Sequence, residues 1–287
     1  MTDAISSQSG RTEDGPVPAA VPAAQRIVCL STETTETLYL LGAEHRIVGI
    51  SGFTVRPPRA RKEKPKVSAF TGAKIDRILA LKPDLVVGFS SLQADIAAQL
   101  VKSGLEVHIF NQRSVAGILS MIMTLGALVG TPDRAAMLVA QLQDGMDRVR
   151  ERASCLPARP QIYFEEWDEP MICGIGWVSE LIGIAGGEDC FAELARQPLA
   201  RDRRISDPDE VLRRRPDIII GSWCGKKFRP ERVCQRPGWE TIPAVRSGQV
   251  HEIASADILQ PGPGALSDGL AKLHAIIAGW AATAAHE

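Results

Sequence analysis

No apolar run in the chain approaches the roughly 20 residues that a bilayer-spanning helix needs. The greasiest stretch, Ile118 to Val129, is broken by Ser120, Thr124 and Gly126, so a soluble chain without membrane insertion is expected. An excess of one charge is also missing: 33 Lys and Arg face 34 Asp and Glu, for a formal net charge of -1. Without a global basic field, nucleic acid is excluded as a natural partner. The six cysteines, Cys29, Cys155, Cys173, Cys190, Cys224 and Cys234, form no C-x-x-C pair and no Cys/His set at zinc spacing. Free thiols in a reducing compartment are the simpler reading, with a disulfide as the alternative. Catalytic signatures are equally scarce. The five histidines, His45, His108, His251, His274 and His286, stand beside no nucleophile motif. Gly174-Ile175-Gly176 lacks the third glycine of a dinucleotide fingerprint, and no Gly-Lys-Ser/Thr phosphate loop occurs. No enzyme, catalytic cofactor or metal site is therefore expected. Residues 1–25 hold neither a basic segment nor an apolar core of 7 to 15 residues, so they read as a disordered tail and predict a cytoplasmic chain. A start codon placed too late would instead hide a signal and restore a periplasmic location.

What the chain does contain is a repeat. Ile78-Leu-Ala-Leu-Lys-Pro-Asp-Leu-Val-Val-Gly88 returns as Val211-Leu-Arg-Arg-Arg-Pro-Asp-Ile-Ile-Ile-Gly221: a helix end, a Pro-Asp turn, a buried strand and a glycine. Upstream, Glu36 to Gly42 matches Glu180 to Gly186, both read as helices stopped by glycine. Downstream, Ser103-Gly-Leu-Glu-Val-His-Ile109 resembles Ser247-Gly-Gln-Val-His-Glu-Ile253. Three matches in one order predict two similar lobes rather than a solenoid, which needs more copies.

Short β-branched runs alternate with helical segments in each half, the pattern of a mostly parallel sheet covered on both faces. Strands are predicted at 26–30, 46–50, 66–69, 85–88 and 107–110, and again at 161–164, 218–221 and 250–253. Between them Thr131-Pro132-Asp133 reads as an N-cap followed by a first-turn proline. The helix it opens has no breaker except Gly145 before about Ala153, some 22 residues or ~33 Å. The predicted fold is thus α/β, two Rossmann-like lobes joined by a single long helix: a tail over 1–25, lobes over 26–130 and 157–287, and a linker over 131–156.

In open parallel sheets ligands bind beyond the carboxyl ends of the strands. Those positions hold Ser31-Thr32-Glu33, Phe53, Phe70 and Phe89 in the first half, and Glu166-Trp167, Ser222-Trp223 and the 256–262 loop in the second. Aromatics are only 5% of the chain, yet several fall there. Either they cover the ends of two cores, or they line a cleft for one large, flat, partly apolar ligand. Lys226-Lys227 either meets an anionic group on that ligand or lies in a solvated loop. Glu33 and Glu166 are the titratable groups at the mouths, where an enzyme would need its base.

Several of these segments together resemble one family. Thr35-Glu36 ahead of Gly42, Arg56-Pro57-Pro58, Ile75-Asp76 through Pro83-Asp84, and Ser179-Glu180 through Ala185-Gly186-Gly187 look like the cobalamin-type substrate-binding proteins of ABC importers. The resemblance spans about 26–280. It implies a monomer with two lobes on one rigid helix and little closure around a ligand, with cobalamin foremost and a ferric siderophore or haem as alternatives. It further implies that Phe53, Phe70 and Phe89 stack against the corrin ring, with Trp167, Trp223 and the Ile258-Leu259-Gln260 loop opposite. Glu166 joins this ligand-binding set. Asp76 and either Asp209 or Glu210 would dock an importer permease, or simply be acids that favour helix N-termini. The alternative from another class is an enzyme acting on a corrinoid or tetrapyrrole.

Overall fold

A computed structural model describes residues 23–284. Residues 1–22 of the expected 1–25 tail, and His286, lie outside the described residues. Ala23, Ala24 and Gln25 are already part of the fold, with the Ala24 amide bonded to Leu128 O and the Gln25 amide to Asp84.

Five parallel strands form the first sheet: β1 (Ile27–Cys29), β2 (Ile47–Ser51), β3 (Lys66–Ser68), β4 (Leu85–Phe89) and β5 (Val107–Phe110), in the order β3-β2-β1-β4-β5. The second sheet contains β6 (Gln161–Asp168), β7 (Met171–Cys173), β8 (Glu188–Asp189), β9 (Ile218–Gly221) and β10 (Val250–Glu252). Its order is β10-β9-β6-β7, with the two-residue β8 also on β6, and all pairs are parallel except β6 with β7. The α/β class and both sheets agree with the sequence reading, but β7 and β8 were not foreseen. The linking helix spans Pro132–Ser154, 23 residues, with Pro132 in its first turn. Thr131 does sit at the N-cap, yet its hydroxyl caps nothing and is buried without a partner. Its ψ of 48° is not the extended backbone that aims a side-chain oxygen at the first turn.

The repeated sequence acts through the same local chemistry twice. Lys82 and Arg215, one residue before each Pro-Asp, take left-handed backbone at φ 48° and 46°. The following aspartates then cap the first strand of each sheet, Asp84 accepting from the Gln25 and Arg26 amides and Asp217 from that of Gln161. Gly42 and Gly186 stop their helices at φ 69° and 103°, a conformation that costs a residue with a Cβ.

Hydrophobic packing divides differently from the sheets. One cluster takes Ile27, Val87 and Leu125 from the first half, Leu142 and Met146 from the linking helix, and Phe164, Leu181, Ile220 and Leu273 from the second. Two smaller clusters lie apart, one around Val28, Val86 and Leu100, the other around Tyr163, Trp223 and Trp239. The main core is therefore continuous across the lobes.

Candidate ligand-binding site

The mouths of the first sheet form an apolar lip. Phe53 is 54% exposed beyond β2, Phe70 37% beyond β3, and Leu92 61% just after β4. One side chain holds this rim together: Gln93 accepts from the Phe89 amide at 2.9 Å and donates to Leu30 O at 3.0 Å and Phe70 O at 3.1 Å. Three strand ends are thereby tied by a single buried amide. Phe89 itself ends β4, is buried, and carries the Arg113 guanidinium 5.0 Å above its ring.

The second sheet's mouths are built from ion pairs. β6 continues to Asp168, so Glu166 and Trp167 lie within the strand rather than beyond it. The register with β7 shifts between Glu165 and Trp167, and a bulge of this kind re-aims the intervening side chain. Glu165, fully buried, accepts from Tyr163 Oη at 2.8 Å, Trp223 Nε1 at 2.9 Å and both terminal nitrogens of Arg236. Glu166 meets both terminal nitrogens of Arg203, at 2.6 and 3.2 Å, while Asp168 pairs with Lys226 and Arg232. Those cations pull the Asp168 carboxyl below the ordinary range despite its burial, which acts in the opposite direction.

Trp223 cannot serve as the opposing wall in this arrangement. It is 3% exposed, packed edge-on against Phe228, with its indole N–H committed to Glu165. Burial of an indole requires such a partner, and β6 supplies it. Trp167 is more accessible, but the Lys226 ammonium sits 4.2 Å over its ring. Lys226, though exposed, thus pairs with a carboxylate and lies over two indoles, while Lys227 is exposed.

A seam closes the base between the lobes. Gln112 Nε2 donates to Pro261 O at 2.9 Å and the Val115 amide to Glu180 at 2.8 Å, while within the second lobe Trp177 Nε1 donates to Ile258 O at 2.9 Å. Arg56 reaches three carboxylates, Glu36, Asp257 and Asp268, and these raise its affinity for the proton further. Glycine is required where the second lobe passes: a Cβ on Gly262 would come within 2.6 Å of Glu33 Cβ, and one on Gly264 within 2.8 Å of Arg56 Nε. Gln260 lies half-buried beside this crossing, its Oε1 without a partner. Glu33 is shut in there, and burial pushes its carboxyl up to about 7.

Neither mouth carboxylate is placed as an open catalytic base, since Glu33 is enclosed and Glu166 is held by Arg203. His108 and His251 lie in β5 and β10, and burial lowers the pKa of each. No group of three or more His, Cys, Asp or Glu able to hold a metal occurs among the described residues. Of the docking acids, Asp76 and Asp209 are exposed at equivalent helix starts. Glu210 is engaged by Arg213 and Arg214. The residues that went unnoticed in the sequence are Gln93, Arg113 and Arg203. Arg113 follows β5, so the strand-mouth rule that selected Phe53 applied to it equally.

Two lobes on one helix, the first with an exposed aromatic lip at its strand mouths and the second with a charged wall at its own, are the build of a ligand-binding protein. The chain belongs to the periplasmic binding protein family, whose profile matches residues 27–256. It is 28% identical over 204 residues, 70% of each chain, to the vitamin B12-binding protein of Yersinia pestis (strain Pestoides F). Among solved structures it superimposes on the periplasmic vitamin B12 binding protein of Vibrio cholerae with a TM-score of 0.71 at 20% identity, covering 90% of this chain and 98% of that one. The periplasmic haem-binding protein of Roseiflexus sp. RS-1 gives 0.74 at 23% identity, covering 89% and 100%. The family binds small molecules.

Proposed function

We propose that the chain binds one corrinoid, with cobalamin as the type ligand, between its lobes and presents it to an ABC permease. The observation that carries this reading is the exposed lip of Phe53, Phe70 and Leu92, in which Gln93 holds the Phe70 carbonyl. Exposed aromatic side chains on a fixed rim suit a large flat ligand, because stacking then costs little ordering on binding. The vitamin B12-binding relatives support the same choice. In this reading Phe89 contributes beneath Arg113, Trp167 and Glu166 face the ligand from the second lobe, and Gln260 lies beside it at the lobe crossing. Asp76 and Asp209 form the permease contact, one on each lobe. The visible spectrum of the purified chain after incubation with a cobalamin, a haem and a ferric-siderophore panel tests the reading. Retention of the corrinoid spectrum at one equivalent is expected, and retention of haem or siderophore alone would replace it. Fractionation of cells carrying the native gene separates delivery to a permease from carriage inside the cell.

A further inference from the structure

We infer that Arg113 is the anchor for an anionic group on the bound ligand, a phosphodiester or a carboxylate, so that the cleft selects among flat macrocycles by charge. The inference rests on the cleft reading above and adds the ligand's charge to it. Arg113 stands at the β5 mouth of the first lobe and looks across to the second: its carbonyl lies against Gly176, where a Cβ would clash, and its nearest charges are Arg203 and Glu166. Its guanidinium lies over the Phe89 ring. A guanidinium lying over an aromatic face keeps N–H groups for the oxygens of an acid.

The charges around it do not balance. Both oxygens of Glu166 are taken by Arg203, leaving two guanidinium groups and one carboxylate. Among the described residues Arg113 has no ion-pair partner, and one terminal nitrogen spends a bond of 3.3 Å on the neighbouring Gln112 carbonyl. Its Nε is shielded from solvent and unpartnered, as is the Nε of Arg203, which is itself 2% exposed. A half-buried cation without a counter-charge is a standing cost that an incoming anion removes. Lys226 and Arg232, which also lie over aromatic rings here, differ in having Asp168 as their partner. The pull on an anion therefore belongs to Arg113.

Calorimetric titration of the full chain with three probes tests this. Cobalamin carries a phosphodiester in its nucleotide loop, cobinamide has the same ring without that loop, and haem carries two carboxylates. Wild type should bind cobalamin more tightly than cobinamide. Arg113→Ala should weaken cobalamin about tenfold to a hundredfold, the range for losing a hydrogen bond to a charged group, and leave cobinamide within about twofold. Arg113→Lys, which keeps the charge and loses the fork, should recover part of the difference. Thermal melts of both variants confirm that they fold. Equal affinity for the two corrinoids, unchanged by either variant, would overturn the inference while leaving the corrinoid reading intact. Binding of haem but of neither corrinoid, with the same loss on Arg113→Ala, would sink the corrinoid reading and uphold the anion anchor.

Discussion

The two lobes repeat one unit and finish it differently. Both use a left-handed residue before Pro-Asp and an aspartate that caps the first strand. Beyond the strands the likeness ends: the first lobe leaves Phe53 and Phe70 open to solvent, whereas the second fills the same level with Glu165, Arg236, Trp223 and the Glu166–Arg203 pair. The backbone unit fixes where a mouth is, and the residues just after it decide whether that mouth offers stacking surface or charge. A change to the charged network at the second lobe's mouths should therefore strike stability first, and one at the first lobe's exposed lip should strike binding.

The sharpest test of that division is Arg236→Ala. It leaves the fully buried Glu165 carboxylate without its counter-charge, which typically costs about 3–5 kcal/mol. Urea unfolding should show a loss of that size, and a change below about 1 kcal/mol would mean that the network is not structural. Next in size is Glu33, whose carboxyl stands at about 7 in the fold against an ordinary 4.5. Between those values the folded chain holds a proton that the unfolded chain has released. Its contribution is thus fully present below pH 4.5 and is lost as pH rises to about 7, to the extent of about 3 kcal/mol. Glu33→Gln should remove that part of the pH dependence. Parallel stability curves for the two proteins between pH 4.5 and 7 would contradict it.

For the open lobe, Phe70→Ala is expected to weaken cobalamin by about 2 kcal/mol, roughly thirtyfold, while stability changes far less than in Arg236→Ala. Unchanged calorimetric affinity would move the ligand off this lip. The smallest effects on the chain itself belong to Asp76→Lys and Asp209→Lys. Both positions are exposed, so stability should shift by about 0.5 kcal/mol at most and ligand affinity should hold. Only the complex with a permease in detergent or nanodiscs should weaken. Loss of ligand affinity in folded Asp76→Lys would contradict the docking role.

Repetition made most of the fold legible in advance. Glycines and Pro-Asp turns occur at matched spacings because the backbone needs them there, and β-branched runs mark strands buried on both faces. β8 escaped because two residues, Glu188 and Asp189, carry no periodicity, and β7 because Met171 to Cys173 makes sense only as the return of a hairpin. The exposure of Phe53 and Phe70 was readable because each follows a strand, whereas Phe89, expected to do the same, ends β4 and is buried. Trp223 was misread because position after a strand does not tell which way a side chain turns. That is settled by Glu165, an acceptor 58 residues earlier in the chain. Gln93 is likewise defined by three carbonyl and amide groups from separate strands, a relation that no local pattern contains.

The continuous core has a consequence for how the chain comes apart. The linking helix buries Ala135, Leu142 and Met146 in a cluster that also holds Ile27 and Ile162, one from the first strand of each sheet. Splitting the molecule along its visible waist would cut through that cluster, and each half would be left with an open greasy face instead of a finished interior. The amides of β1 and β6 should then share one slow hydrogen-exchange rate, limited by a single global opening. Two lobes by shape, the chain is one cooperative unit in folding, and a fragment ending in the linking helix should bind hydrophobic dyes and aggregate, not persist as a small domain.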